Sequence, residues 1–290
     1  MSNIVNTNVG AAVALQNLNA TSRSLQVTQG HISTGLNVAG AKDNSAIFNL
    51  AQSMRGDVLG LSAVTSSLNT AKSVTDVALS ATESISDTLN AMKEVAMQAK
   101  DGTLNDAKRK QYNDEWVNLQ NQIKSVIKSA SFNGINVLTA GGGSVSALST
   151  LYGGSAVAGG GSTAWAPDTI SVPNRSLDDS TNGLAVIDKS MTIDTADKAD
   201  AALGTLSKDV ENLEVSLSAL GAASRLIDRQ LTFTSKLTDT LNSGIGNLVD
   251  ADLAKESANL QSLQVKQQLG TQALSIANQA PQSLLSLFRG

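Results

Sequence analysis

Residues 203–241, LGTLSKDVENLEVSLSALGAASRLIDRQLTFTSKLTDTL, carry the longest helical pattern in the chain. Apolar residues return at alternating steps of three and four, as in a heptad repeat, with polar interruptions at Ser224, Thr234 and Thr238. At 1.5 Å per residue, a helix of this length extends roughly 60 Å, far beyond the average globular helix. The pattern predicts a mainly α protein, with long antiparallel helices in a coiled-coil or bundle rod.

Two further apolar patterns upstream predict helices that pack beside this one. The first begins near Leu61 and stops near Gly102, and the second runs from Tyr112 to Ala130, after a capping pair at 105–106. Because each pattern has one apolar stripe, we expect the three helices to share a seam. Its predicted residues are Leu61, Leu68, Ile85, Leu89, Leu119, Ile123, Leu206, Leu213, Leu220 and Ile227.

The two ends of the chain are amphipathic and almost free of charge. Arg23 is the only charged side chain before Lys42, and only Lys266 and Arg289 follow Glu256. A neutral polar face suits a helix buried among several chains, because a buried unpaired charge is costly; an ordinary neutral surface helix is the simpler alternative. We expect the ends to pair, through Ile4, Leu15, Leu18, Leu25, Ile32, Leu260, Leu263, Leu274 and Leu284.

The middle of the chain, 140–194, has a different composition. Residues 141–161 hold about a third of the glycine, which predicts a flexible, loop-rich stretch. Alternating apolar residues predict short strands at Thr169–Pro173 and Leu184–Ile193, with a hairpin turn at 188–190. A cluster at 194–197 offers capping groups for the long helix that follows. We therefore expect a small insert, containing a β-hairpin, between two halves of a helical body.

The sequence offers little for catalysis or for metal binding. It has no Cys and one His, His31, which excludes disulfides, Cys-ligated zinc and any site that needs two histidines. No phosphate-binding loop is present, so we expect neither a cofactor nor enzymatic activity. We expect Asp178 and Asp179 to lie in a solvated loop, and Asp250 and Asp252 to cap the last helix.

The charge and hydropathy patterns exclude other classes of partner. The net charge is −4 with no concentrated basic patch, which gives nucleic-acid binding little electrostatic support. No apolar run approaches the roughly 18–20 residues that span a bilayer. Residues 1–10 lack the basic start and apolar core of a cleaved signal peptide.

Several strings at both ends of the chain resemble the terminal regions of bacterial flagellins. They are MSNIVNTNVGAA at 1–12, ISTGLNVAGAKDN at 32–44, SFNGINVL at 131–138, GAASRL at 221–226, NLVDADLAKE at 247–256 and QQLGTQALSIANQ at 267–279. The resemblance covers roughly 1–139 and 200–290, whereas the middle matches nothing in particular. Several strings in the same order make it specific.

The resemblance implies a structural subunit that polymerises head-to-tail into the filament used for swimming. It implies an inner-tube domain of 1–41 plus 250–290, an outer helical rod of 42–139 plus 195–249, and a solvent-facing insert at 140–194. It also implies export without a cleaved signal through the flagellar type III apparatus, helped by a chaperone. Cap and hook-associated junction proteins would be partners outside the cell.

One segment departs from flagellins that the vertebrate innate flagellin receptor detects. The resemblance places their Arg-x-Arg-Glu-like cluster at residues 91–94, where this chain has Ala91, Lys93 and Glu94 after Leu89. We expect weak or no receptor activation, because Ala and Lys cannot replace planar Arg donors.

Three alternatives remain open from the sequence alone. A hook–filament junction protein shares similar terminal helices, and a secreted helical adhesin would be a monomeric bundle. A filament-borne metalloprotease is a third, although 140–194 contains no His.

Overall fold

The structure, a computed structural model, describes residues 8–151, 168–179, 183–188 and 191–287, with only the backbone for 188 and 280–287. Its helices take up 76% of the described residues, which confirms the mainly α prediction. In chain order the elements are α1 (Val9–Thr34), α2 (Ser45–Ala99), α3 (Asp106–Ser129), β1 (Val145–Leu148), β2 (Thr169–Val172), α4 (Ala185–Asp188), α5 (Ala196–Val249) and α6 (Leu253–Leu287).

The helices start where polar side chains can cap them. The Asn8 side chain accepts a hydrogen bond from Ala11 N at the start of α1, and Asn105 does the same for α3. Thr195 Oγ1 accepts from the backbone of residue 198 in α5, and Asp252 accepts from residues 254 and 255 in α6. Each cap pairs a backbone N–H that has no partner inside the helix.

The chain forms two compact units, of which the first is Met1–Gly56 with Thr240–Gly290. In this unit α1 and α6 run antiparallel, because residue 8 at the start of α1 meets residue 277 and residue 31 near its end meets residue 256. Gly35 ends α1 with φ 72°. An antiparallel bridge between Leu36 and Asp250 then joins the two connecting segments.

The second unit, Asp57–Asp239, contains most of α2 and α5 together with α3 and the sheet. Lys72 Nζ lies 2.9 Å from Asp228 Oδ1, and Lys100 pairs with Asp200, so α2 and α5 run antiparallel. The buried apolar side chains of this unit are mostly aliphatic, and Trp116 is fully buried among them. This composition agrees with the narrow helix–helix seams that the sequence predicts.

The insert differs from its prediction in two places. The strand predicted at Thr169–Pro173 is present as β2, but its antiparallel partner is β1, with Val145 opposite Val172. β1 lies in the stretch predicted to be a flexible loop. The strand predicted at Leu184–Ile193 is wrong, because residues 185–188 form α4; of the turn predicted at 188–190, residues 189 and 190 lie outside the described residues.

Candidate assembly surfaces

The antiparallel pair of α1 and α6 brings the two ends of the chain together. Asn8 Nδ2 donates to the Ala277 carbonyl over 2.7 Å. Gly270 lies so close to α1 that an added Cβ would sit 3.1 Å from Leu18 Cδ1. Six predicted residues of this pair are half-buried, namely Leu18, Leu25, Ile32, Leu260, Leu263 and Leu274.

The other three predicted residues of the terminal pair have different positions. Leu15 is 48% exposed. Ile4 lies outside the described residues, and Leu284 lies in α6 within the part that is described by its backbone alone.

The pair of α1 and α6 also exposes large apolar side chains along its length. Between 48% and 69% of each one is accessible in the single chain. Large apolar side chains exposed in this number on one helix pair make it a candidate association surface. The side chains are Val9, Val13, Leu15, Val27, Leu253, Val265, Leu269 and Ile276.

The single histidine is a structural residue of this pair. His31 Nδ1 lies 3.6 Å from Glu256 Oε1, and both side chains are about 15% exposed. His31 stands in the last turn of α1 and Glu256 in the first turn of α6. Among the described residues, His31 Nδ1 has no hydrogen-bond partner, so this contact packs the end of α1 beside the start of α6.

The predicted seam of the outer helices lies in the second unit. Nine of its ten residues are buried at 5% exposure or less, namely Leu61, Leu68, Ile85, Leu89, Ile123, Leu206, Leu213, Leu220 and Ile227. Leu119, the tenth, is half-buried and packs against the same core.

Polar side chains that the sequence analysis missed anchor residues 185–188 and 191–193 to α3 and α5. Asp209 of α5 accepts hydrogen bonds from Ala185 N and Val186 N. From α3, Trp116 Nε1 donates to the Met191 carbonyl over 2.9 Å. Gln120 Nε2 donates to the carbonyls of residues 186 and 191 over 2.8 and 3.0 Å. Asn113 Oδ1 accepts a hydrogen bond from Ile193 N over 2.9 Å. The one sequence signal for such anchoring residues is a polar side chain that lies next to the apolar stripe of its helix.

The paired acids have partly different roles from those expected. Asp178 is exposed in a loop, as expected, but its Oδ1 accepts a hydrogen bond from Ala140 N, so it also fastens the chain before β1. Asp252 caps α6 as predicted, whereas Asp250 forms the bridge to Leu36.

The segment that corresponds to the receptor cluster lies on α2. Leu89 is buried in the core, whereas Ala91, Lys93 and Glu94 are exposed. The Glu94 carboxylate accepts a hydrogen bond from Gln98. This face therefore presents one cation and one anion, with a methyl group beside them.

Two ion pairs shift the pKa of their members. The hydrogen bond to Asp228 raises the pKa of the Lys72 ammonium above its ordinary 10.5, with help from Asp76. A hydrogen bond from Lys198 lowers the pKa of Asp194. The first pair joins α2 to α5 at the surface, and the second joins the residue two positions before α5 to its first turn.

The described residues contain no group of three or more His, Cys, Asp or Glu that could hold a metal ion. Within the same part of the chain, no helix combines the length and hydropathy needed to cross a membrane.

Known proteins match both helical parts of the chain. Residues 5–141 match the bacterial flagellin N-terminal helical region, and residues 191–288 match the bacterial flagellin C-terminal helical region. Flagellin FljK of Caulobacter vibrioides is 43% identical, with 99% of both chains covered. The chain belongs to the bacterial flagellin family. A flagellin of Brucella melitensis is 37% identical over 98% of both chains, and flagellin C of Rhizobium meliloti is 31% identical over the same share.

This flagellin is a structural subunit of the bacterial flagellar filament and not an enzyme. It self-associates, and the filament that it forms is extracellular. The resemblance seen in the terminal strings is therefore confirmed, and the comparisons do not support a junction protein or an adhesin.

Proposed function

We propose that residues 1–41 and 250–290 form the inner tube of the filament, with the α1–α6 pair of each subunit packed against the pairs of its neighbours. The carrying observation is the surface of that pair, which exposes eight large apolar side chains, while the residues between the two helices are themselves only half-buried. Burying such side chains between subunits stabilises a polymer by roughly 25 cal/mol per Å² of apolar surface.

The near absence of charge on these helices supports the same arrangement. Within the described part of α1, Arg23 is the only residue with a permanent charge, and Lys266 is the only charged residue in α6 after Glu256. Asn, Gln, Ser and Thr can hydrogen-bond across subunits without the desolvation cost of an ion. A tube in which several subunits contact one another can therefore bury these neutral polar side chains.

We further propose that 42–139 and 195–249 form the outer rod and that 140–194 faces solvent. The buried seam of α2, α3 and α5 gives the rod a core of its own, while polar side chains fasten the insert to its side. The rods of neighbouring subunits would pack side by side, and the short insert would add little surface relief.

The proposed partners during assembly follow from the terminal helices. Exposed apolar helices aggregate unless they are covered, so an export chaperone would hold the C-terminal segment before secretion through the flagellar type III apparatus. Cap and hook-associated junction proteins would meet the same helices outside the cell. N-terminal sequencing of secreted protein tests whether a leader is removed during export.

A seeded-growth assay tests the inner-tube proposal. Intact protein should extend sheared filament seeds, whereas protein lacking 1–41 and 250–290 should not. Long threads from the trimmed protein would refute the proposal.

Full-length variants make the test independent of truncation. The double change Val265→Asp with Leu269→Asp should abolish extension, because both side chains are over half exposed in the single chain and would be buried in the tube. Thr169→Asp with Ser171→Asp adds the same charge to exposed positions of β2 and should leave extension unchanged. Equal growth of both variants would contradict the proposal.

A further inference from the structure

An exposed side of α2 carries a block of acidic side chains. Glu83, Asp87 and Glu94 are exposed and follow steps of four and seven, so they share one side of the helix. No basic residue occurs between Lys72 and Lys93. Within the described residues, none of the three carboxylates forms an ion pair.

An exposed side of α5 carries two blocks of opposite charge. Glu211 and Glu214 come first, and Arg225 and Arg229 follow about four turns later on the same side. All four are exposed, and the described part of the chain provides no ion-pair partner for them. Two like charges at a spacing of four disfavour an isolated helix slightly, which makes an external partner for the arginines valuable.

The contacts between α2 and α5 define which residues lie level with each other. In three pairs, Lys72 with Asp228, Asp76 with Ser224 and Lys100 with Asp200, the two residue numbers add up to 300. Asp87 is therefore level with residue 213, beside the acidic block of α5. The arginines lie 12 and 16 residues further along α5, or roughly 20 Å along the axis.

We propose that the acidic face of α2 docks on Arg225 and Arg229 of a neighbouring copy that is displaced by roughly 20 Å along the rod. This inference rests on the proposed side-by-side packing of rods. It adds which side chains fix the axial displacement between neighbouring rods. Copies without displacement would place Asp87 beside the neighbour's Glu211 and Glu214, so that like charges repel. Displaced copies bring carboxylates to guanidinium groups instead.

The partner is a second copy of this chain because the two faces complement each other and lie on different helices. A contact between two different surfaces of identical subunits does not close on itself, so it continues into an open helical array. Exposed apolar side chains border both faces, with Met97 on α2 and Val215, Leu226 and Phe233 on α5. With this displacement, Val215 of the neighbouring copy lies within one helical turn of the level of Met97.

Charge reversal in the full-length chain tests the contact. Arg225→Glu with Arg229→Glu should slow extension of wild-type seeds about fivefold or more, since several exposed pairs act together. Glu83→Lys with Asp87→Lys should do the same. A mixture of the two variants should recover growth, because each reversed face again meets its opposite. Asp114→Lys with Glu115→Lys on α3 is the matched control, and circular dichroism checks that each variant folds.

The outcomes separate this inference from the proposed function. Failure of wild-type protein to extend seeds would overturn the proposed function and the inference with it. Normal growth of wild type together with normal growth of both reversed variants would overturn the stagger alone. Slow growth of each variant with no recovery in the mixture would also overturn the pairing of these faces.

Cross-linking in filaments measures the stagger directly, because the chain has no native Cys. A chain with Asp87→Cys and Arg229→Cys should form ladders of linked subunits with a short bismaleimide. A chain with Asp87→Cys and Glu214→Cys, which matches undisplaced neighbours, should form none. Ladders from the second chain and not from the first would refute the proposed displacement.

Discussion

The carboxylate of Asp209 accepts a hydrogen bond from the backbone N–H of Val186 over 2.8 Å, and the two residues are 23 positions apart in the chain. The same carboxylate accepts from Ala185 N, so one acidic side chain of α5 covers the N-terminal end of α4. Asp209 is 1% exposed. The two backbone donors offset the cost of burying its polar carboxyl group.

Replacing Asp209 should therefore destabilise the second unit, 57–239. In Asp209→Ala two backbone donors lose their acceptor, and we expect a loss of about 3 kcal/mol in the free energy of unfolding. Chemical denaturation followed by circular dichroism measures it. Glu211→Ala, an exposed acidic position two residues away, should change stability by less than about 0.5 kcal/mol. Similar effects of the two changes would show that the buried hydrogen bonds contribute little.

The ion pair of Lys72 should make stability depend on alkaline pH. Its pKa in the folded chain is raised above 10.5 by the Asp228 carboxylate, so its contribution is fully present below 10.5 and is lost as pH rises through the folded value. The difference in melting temperature between wild type and Lys72→Gln should shrink as pH rises past 10.5. Lys93→Gln, at an exposed position of the same helix, should show no such trend. A constant difference for Lys72→Gln would contradict this linkage.

The terminal helices should be ordered by polymerisation. In the monomer, α1 and α6 leave many large apolar side chains in water, and helices gain most of their stability from packing. We expect fast hydrogen exchange in 1–40 and 250–290 of the monomer and slow exchange in the filament. Exchange in 64–92, within the buried core of α2, should be slow in both states and serves as the internal reference. Strong protection of the ends in the monomer would contradict this view.

Activation of the vertebrate innate flagellin receptor should be weak. Ala91 and Lys93 are exposed on α2 where a pair of arginines would present planar donors. A reporter-cell assay should give little response to nanomolar wild-type monomer. Ala91→Arg with Lys93→Arg should increase the response, and Ala91→Gln should not. Strong activation by wild type would refute the prediction.

The helices themselves were predictable from the sequence because their signals are local. The heptads at 203–241 lie within α5, and Asn105 and Asp252 cap the helices they were predicted to cap. Apolar periodicity and capping depend only on residues a few positions apart. Helices can therefore be predicted from them without knowledge of the fold.

The insert was harder to predict because distant residues decide its structure. Alternating apolar residues at 184–193 suggest a strand, yet Asp209 and the side chains of α3 hold part of this stretch as a short helix and a following loop. β1 was missed because glycine and serine surround it, and it pairs with β2 more than 20 residues later. Tertiary contacts override weak local preferences in such short elements.

By itself, the sequence determined that this flagellin would consist of long helices with nearly uncharged ends, because periodicity and charge are properties of neighbouring residues. Only the tertiary structure decided which residues of α2 and α5 lie level with one another and which side chains anchor the insert. Those relations depend on where the helices meet in space. A pair such as Lys72 and Asp228 cannot be predicted from the distance between the two residues along the chain.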